Sequence, residues 1–577
     1  MSLSVSEPSE LPTSSPKLEK SFVKHAKLIS FLTTISRFFG LGREIVATHY
    51  LGTELVGSAF AVAFVIPNLF RKLFGEGALS AAFIPLYSQA IKSEKESDGS
   101  KAGSANDFAA AAVNLLFVIL LGLTIVGEGI IYWLLHFGHD FRPAWMLTLR
   151  LTAIMLPYVL LICGGAFLSG ILQVHKRFGP PAAAPIILNA CHIIVLLIGA
   201  KIIGLGRHTP ADLVEAKQIQ LSYWLAVVVL IAGAMQVGVL LPALKEIGFR
   251  FKLVSNFWTP PIKKMLLLSL PVAMGAGVLQ LSVMLDKSIS MALMTGKDDV
   301  GKSITTFHWF GKDVRLPMEL GAPRRLDLAQ NLYQFPLGIF AIALATAIFP
   351  GLSADALDKD REKFRGVLRH GIEASLWEGL PASLGLILVA EPTARLMFQH
   401  GETSAHHATL IAQSTMIYAS AIWAFSLLQI INRAYYAIHD TITPLVMSIV
   451  NIIINLVVEL PLVWTKLGES GMAVGTVVSF AIQALVMLWM LDRKIGGLDL
   501  RRSFPMVMKM LLGTVVMGIA CYGVKLSPAF PHGDTRIIWA SQIFLLLSSG
   551  AAVYLGMCYV LHVNVLADLL PKRFRKG

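Results

Sequence analysis

The stretch LISFLTTISRFFGLGREIVATH, residues 28–49, is long and apolar enough to cross a bilayer, yet it carries Arg37, Arg43 and Glu44 in its middle. An arginine at the centre of a membrane helix costs about 2.5–3.5 kcal/mol on insertion scales, so such a charge faces water or a partner rather than lipid. The next apolar segment repeats the pattern. Within PNLFRKLFGEG, residues 67–77, Arg71 stands beside Lys72, between Asn68 and Glu76. Arg37, Arg43 and Arg71 therefore read as the cationic wall of a cavity that handles an anionic substrate, with Glu44, Asn68 and Glu76 as polar neighbours on that wall.

Composition places these charges in a membrane. The 577 residues are 55% hydrophobic and 15% charged, with a mean hydropathy of +0.66, where soluble domains carry about 25% charged residues. A spanning helix needs about 20 mostly apolar residues, and in lipid the backbone must satisfy its own hydrogen bonds, which leaves helices for runs of this length. About fourteen such segments are expected. The fold class is thus an all-α polytopic membrane protein. Its organisation reads as a mobile cytoplasmic tail (1–27), a six-helix lobe (28–244), a cytoplasmic linker (245–263), a second six-helix lobe (264–491) and a C-terminal helix pair with a basic tail (492–577). In the second span, 54–74, Pro67 and Gly75 are the expected break points. Pro271, Gly275 and Gly277 mark the seventh span, 264–294, as a broken helix of the kind that lines transport pathways.

Lys and Arg set the orientation. With the N-terminus inside, the basic loop at Lys176-Arg177, the segments 245–264, 359–369 and 493–502, and the tail 572–576 all fall in the cytoplasm, about 28 Lys and Arg against about 13 outside. Both termini are expected inside, and the net charge of +13 follows from topology rather than from a nucleic-acid partner. Membrane lipids with anionic head groups are a secondary partner. There is no GxxxxGK[ST] sequence and no loop long enough for a nucleotide fold, so transport here is not driven by ATP on this chain. Cys163, Cys191, Cys521 and Cys558 lie in apolar runs and read as small buried hydrophobes. No paired acids and no base-held nucleophile suggest catalysis, so the chain is not read as an enzyme.

Three stretches carry a resemblance. They are Ser36-Arg37-Phe38-Phe39-Gly40-Leu41-Gly42-Arg43-Glu44, then Ala59-Phe60 to Ala63-Phe64 with residues 67–85, and later Gln334-Phe335-Pro336-Leu337-Gly338 with Asn432-Arg433-Ala434-Tyr435-Tyr436-Ala437. Together they resemble the MurJ/MviN family, bacterial lipid II flippases of the multidrug/oligosaccharidyl-lipid/polysaccharide exporter superfamily. The resemblance implies two six-helix lobes around a central cavity, a C-terminal pair forming a lipid groove, and a place in the bacterial inner membrane. It implies alternating-access transport of undecaprenyl-diphosphate-linked disaccharide-pentapeptide in peptidoglycan synthesis, with cell-wall synthesis proteins as candidate partners. The arginines matching Arg37, Arg43 and Arg71 are those the family needs, and a planar guanidinium fork suits diphosphate oxygens.

This chain departs from the pattern at three places, one being Ser58, where the family often has an acidic residue. Asn331 stands where the family carries a further cavity arginine, and Arg324 and Arg325 upstream are candidates to compensate. The segment 295–325 looks some 25 residues longer than a family loop and reads as an extracytoplasmic insertion, solvated or folded as a hairpin or lid. Asp286, Asn455, Glu459 and Thr476 resemble the place where some relatives hold Na⁺ on oxygen ligands, although Asp286-Lys287 as a buried ion pair remains open. H⁺ or the membrane potential are alternative driving forces, and no other cofactor is expected. Two other readings stay in view: an exporter of other polyprenyl-diphosphate-linked saccharides, and a membrane-embedded polyprenyl-phosphate transferase.

Overall fold

The computed structural model describes residues 16–75, 78–96, 104–138, 141–206, 208–252, 258–298, 302–309, 311–339, 344, 352, 361–563 and 565. The first lobe contains α1 (Pro16–Leu51), α2 (Leu55–Ala63), α3 (Val65–Phe70), a π-helical turn (Arg71–Gly75), α4 (Ala78–Glu96), α5 (Ser104–Phe137), α6 (Pro143–Met155), α7 (Tyr158–Val174), α8 (Gly179–Ile203) and α9 (Ala211–Glu246). The second holds α10 (Pro260–Leu293), four short strands, α11 (Ala322–Ile339), α12 (Arg361–Phe398), α13 (Ala405–Ala419), α14 (Ile422–Ala437), α15 (Ile442–Val463) and α16 (Ser470–Lys494). The pair α17 (Leu500–Leu526) and α18 (Arg536–Val560) packs against α12.

Among the described residues, nine helices or helix runs are long and apolar enough to span a membrane, and eleven if α6 with α7 and α13 with α14, bent by 45° and 46°, each count as one span. The expected segments 28–49 and 264–294 fall on α1 and α10, outside that set, and the first part of 327–351 falls on α11, while most of its remainder lies outside the described residues. In the second span the helix breaks at Phe64 and not at Pro67, which lies inside α3. Proline has no N–H and its ring collides with the carbonyl four residues back. The carbonyl in question is that of Ala63, so the break appears upstream of the proline. Position 271 causes no such break, since α10 runs unbroken through it.

The insertion is folded. Gly296–Lys297 (β1) pairs antiparallel with Ser303–Ile304 (β2), and Thr306–Trp309 (β3) with Lys312–Arg315 (β4), in the register His308 to Asp313. It is also fastened to both lobes. Arg142 donates to the Met294 carbonyl at 2.8 Å and Lys297 pairs with Glu215 at 3.5 Å, while Phe307 meets the Trp464 ring on the other lobe. Helix α11 begins at Ala322, so Arg324 and Arg325 belong to it rather than to the insertion.

The apolar cores explain the shape. At the end where α1 terminates, one core joins both lobes, including Leu51, Leu55 and Leu221 of the first with Met294, Met318, Phe398 and Met472 of the second. At the other end the cores separate. Phe83, Phe167, Leu172 and Leu244 cluster in the first lobe with the start of α10, and Leu368, Ile431, Tyr435 and Met487 cluster in the second. The lobes are thus welded by a shared core at one end, while at the other, unwelded end each keeps its own core and α10 packs on α4 of the first lobe.

At the unwelded end, Asp440 fixes the start of α15. Its carboxylate accepts the backbone N–H groups of Ile442 and Thr443 and the Thr443 hydroxyl, and pairs with Lys494 at 2.6 Å. Burial pushes its pKa up, but the bonds from Lys494 and Thr443 outweigh this and hold it below the usual aspartate value. That stabilisation is present above the unfolded pKa and is lost as pH falls through the folded one. Asp440→Ala is therefore expected to cost about 1–2 kcal/mol at neutral pH. Thermal unfolding in detergent reads it, and the difference from the unsubstituted protein should shrink below about pH 4.

Candidate functional site

Two cavities meet at the arginines. The larger, about 890 Å³, is lined by Ser36, Arg43, Phe64, Asn68, Arg71, Tyr158, Gln173, Pro181 and Gln236 among others, and so reaches the level of the basic loop between α7 and α8. The smaller, about 350 Å³, lies toward the welded end and is bounded by Glu44, Phe60, Lys72, His192, Lys287, Arg324, Asp327 and Asn331. Arg43, Phe64, Asn68 and Arg71 border both. The upper chamber holds five cations, Arg43, Arg71, Lys72, Lys287 and Arg324, against two carboxylates, Glu44 and Asp327, a net charge of +3.

Each side chain has an identifiable support. The π-helical turn opens at Arg71, whose Nε donates to Asn68 Oδ1 at 3.4 Å. Such turns widen the helix and are frequent at functional sites. Arg43 pairs with the neighbouring Glu44, and its guanidinium lies 5.9 Å from the centre of the Phe64 ring. Glu44 reaches across to the second lobe, where it pairs with Arg324 at 2.8 Å. Arg324 also bonds Asp327 at 3.1 Å and the Thr48 hydroxyl at 3.2 Å, and Asp327 pairs with Lys287 at 2.5 Å. The ion pairs therefore run from α1 to α11 to α10 across the cavity ceiling.

The sequence-expected residues separate into three groups. Arg43, Arg71, Glu44, Asn68 and Asn331 come together on the cavity walls. Arg37 stands outside both cavities, with its guanidinium packed against Gly338 of α11. Glu76 lies outside the described residues. The two candidate substitutes for the absent arginine part company: Arg324 enters the upper cavity, whereas Arg325 is fully buried and held by Glu469 at 2.5 Å and by the carbonyls of Leu320 and Glu319. Sequence reasoning named Lys287 only as a partner for Asp286 and missed Asp327 and His192. Asp327 could have been read as the i,i+3 partner of Arg324.

A second polar cluster lies between α10, α15 and α16. Asn455 Nδ2 donates to Asp286 Oδ1 at 3.0 Å and to Glu459 Oε2 at 3.2 Å, while Thr476 donates to the Met472 carbonyl. Asn455 Oδ1 and Glu459 Oε1 are buried without a hydrogen-bond partner. Gly475 lets α16 approach, since a Cβ would fall 2.7 Å from that of Glu459. The Asp286-Lys287 ion pair does not form. Adjacent helical residues diverge by about 100°, and Lys287 turns to Asp327.

The welded end is closed by contacts between lobes. Thr53 Oγ1 lies 2.9 Å from His407 Nδ1, and His49 Nδ1 lies 3.1 Å from His400 Nδ1. Gly401, at φ +62°, and Gly321, at φ +98°, sit directly on the carbonyls of His49 and Thr53. Both positions demand glycine twice over, for the left-handed backbone and for the lack of space.

A family profile described as "Lipid II flippase MurJ" matches residues 47–530. A probable lipid II flippase MurJ of Rhizobium tropici is 28% identical over 551 residues, covering 94% of each chain, and one of Bdellovibrio bacteriovorus is 28% identical over 547 residues, covering 94% of this chain and 95% of its own. Among solved structures, "Lipid II flippase MurJ, inward closed conformation" aligns over 93% of this chain and 99% of its own with a TM-score of 0.70 at 21% identity. An inward-facing multidrug resistance MATE family transporter aligns over 82% and 99% with a TM-score of 0.58 at 14% identity. These two share the fold. The profile spans most of the sequence, and the chain belongs to the MurJ family of lipid II flippases.

Proposed function

We propose that this chain moves lipid II from the inner to the outer leaflet by alternating access, with the diphosphate held by Arg43 and Arg71 where the two cavities join. Members of the family are transporters, not enzymes. The observation that carries the reading is a chamber lined by both lobes with a net charge of +3. In a low-dielectric site a dianionic head group gains far more from fixed guanidinium groups than it would in water. Arg324 lies next along the path, and Asn331 adds a neutral donor. The head group enters from the side of the basic loops, which positive-inside topology makes cytoplasmic, with both termini there. The lobes then rock and release it outside while the polyprenyl tail stays in lipid. Reconstituted protein should carry fluorescent lipid II across vesicle bilayers, and vesicles in which the labelled lipid never changes leaflet would overturn the reading. The shared diphosphate chemistry also admits other polyprenyl-diphosphate-linked saccharides, and competition among such lipids in the same vesicles ranks them.

For coupling, we propose that Asp286, Asn455, Glu459 and Thr476 take a cation, Na⁺ or a proton, around Asn455 Oδ1 and Glu459 Oε1, the two oxygens of the cluster that are buried without a partner. Hard cations prefer oxygen ligands, and two carboxyl groups sharing one amide offer oxygens for a metal ion or a proton. Asp286→Asn with Glu459→Gln should lower transport at least about 10-fold, the effect of losing roughly 1.4 kcal/mol of coupling. Transport that still follows an imposed Na⁺ or H⁺ gradient in this variant would contradict the assignment.

A further inference from the structure

One part of the upper chamber is not explained by charge. Phe60 and Phe64 lie parallel, centres 6.0 Å apart and planes 8° apart, and both rings stand against the edge of His192 at 6.1 and 5.9 Å. All three line the chamber, and Phe64 shares the junction between cavities with Arg43. His192 is only 2% exposed, and its Nε2 has no hydrogen-bond partner. A buried polar atom left unsatisfied costs about 1–3 kcal/mol. An apolar residue in this aromatic corner would avoid that cost, so the retained imidazole calls for a partner that arrives with the ligand.

We infer that Phe60, Phe64 and His192 form a saccharide subsite, which takes the sugar attached to the diphosphate. The inference rests on the proposed function and adds the part of the substrate that the arginines leave unread. A pyranose has an apolar C–H face and a polar rim. Parallel aromatic rings receive the first, and an imidazole, which both donates and accepts, serves a hydroxyl or acetamido group on the second. Position supports the pairing of roles. A diphosphate gripped by Arg43 and Arg71 puts the next group of the head at Phe64, with His192 directly behind it. Pockets of this size fix ligand orientation with a few polar groups set in an apolar lining.

The test uses the full chain in lipid nanodiscs and two probes, undecaprenyl diphosphate and lipid II. The unsubstituted protein should bind lipid II more tightly than the sugar-free lipid. His192→Ala and His192→Phe should each cut that preference by about 3- to 10-fold, the loss of one neutral hydrogen bond, and leave affinity for undecaprenyl diphosphate unchanged. His192→Asn, which keeps a donor and an acceptor, should recover part of the preference. Phe60→Leu should weaken lipid II binding in the same selective way. If His192→Phe keeps the full preference, the imidazole is packing and the inference is wrong. Equal weakening toward both lipids would also overturn it. Should the unsubstituted protein bind neither probe, the failure belongs to the proposed function itself.

Discussion

Alanine at Arg43 or at Arg71 is expected to abolish rescue of a flippase-depleted cell while the protein still inserts and accumulates. Each side chain borders both cavities, whereas Lys72, Lys287 and Arg324 line the smaller one. A hydrogen bond to a charged group contributes about 1.5–3 kcal/mol, so one lost guanidinium lowers head-group affinity roughly 10- to 150-fold. Lysine should keep part of the function, since the charge survives without the planar fork. Arg43→Ala carries an extra penalty because Glu44 then keeps one cationic partner, Arg324, instead of two. Immunoblots of membrane fractions with growth curves separate loss of function from loss of protein. Normal growth with alanine at both positions would remove the arginines from the mechanism.

Locking the welded end should stop transport just as completely. With the native cysteines replaced by alanine, Thr53→Cys and His407→Cys place two thiols across the contact that now holds Thr53 Oγ1 2.9 Å from His407 Nδ1. A short bifunctional thiol reagent then ties α13 to the loop that follows α1. If the lobes must part at this end to release the head group, transport falls to background and returns when a cleavable linker is cut. The single-cysteine proteins treated alike should keep full activity. Undiminished transport by the tied protein would mean that release follows another route.

Much of this architecture was legible in residues 28–77, because charge inside apolar sequence announces a hydrated cavity. The sequence put Arg37, Arg43 and Arg71 on one cationic wall. The structure assigns Arg43 and Glu44 to one wall and sets Arg37 against Gly338, since long side chains reach round a helix and a glycine on α11 leaves a slot. The link from Glu44 to Arg324, Asp327 and Lys287 joins residues far apart in sequence, and spacing holds no record of such pairs. His192 was not singled out in the sequence because its contacts, Phe60 and Phe64, lie more than 100 residues away in the chain. In the insertion, the alternation Phe307-His308-Trp309 before Gly311 was a readable hairpin signal. Its anchoring to Arg142 and Glu215 was not, since both partners lie in the other lobe.

The measurement closest to the central claim is equilibrium binding of lipid II in nanodiscs to the unsubstituted protein, Arg43→Gln, Arg71→Gln and the double variant, across a range of salt. The account predicts a loss of roughly 10-fold or more for each single change, a larger loss for the double, and a salt dependence that flattens as each cation is removed. Equal affinity and equal salt dependence in all four proteins would contradict it.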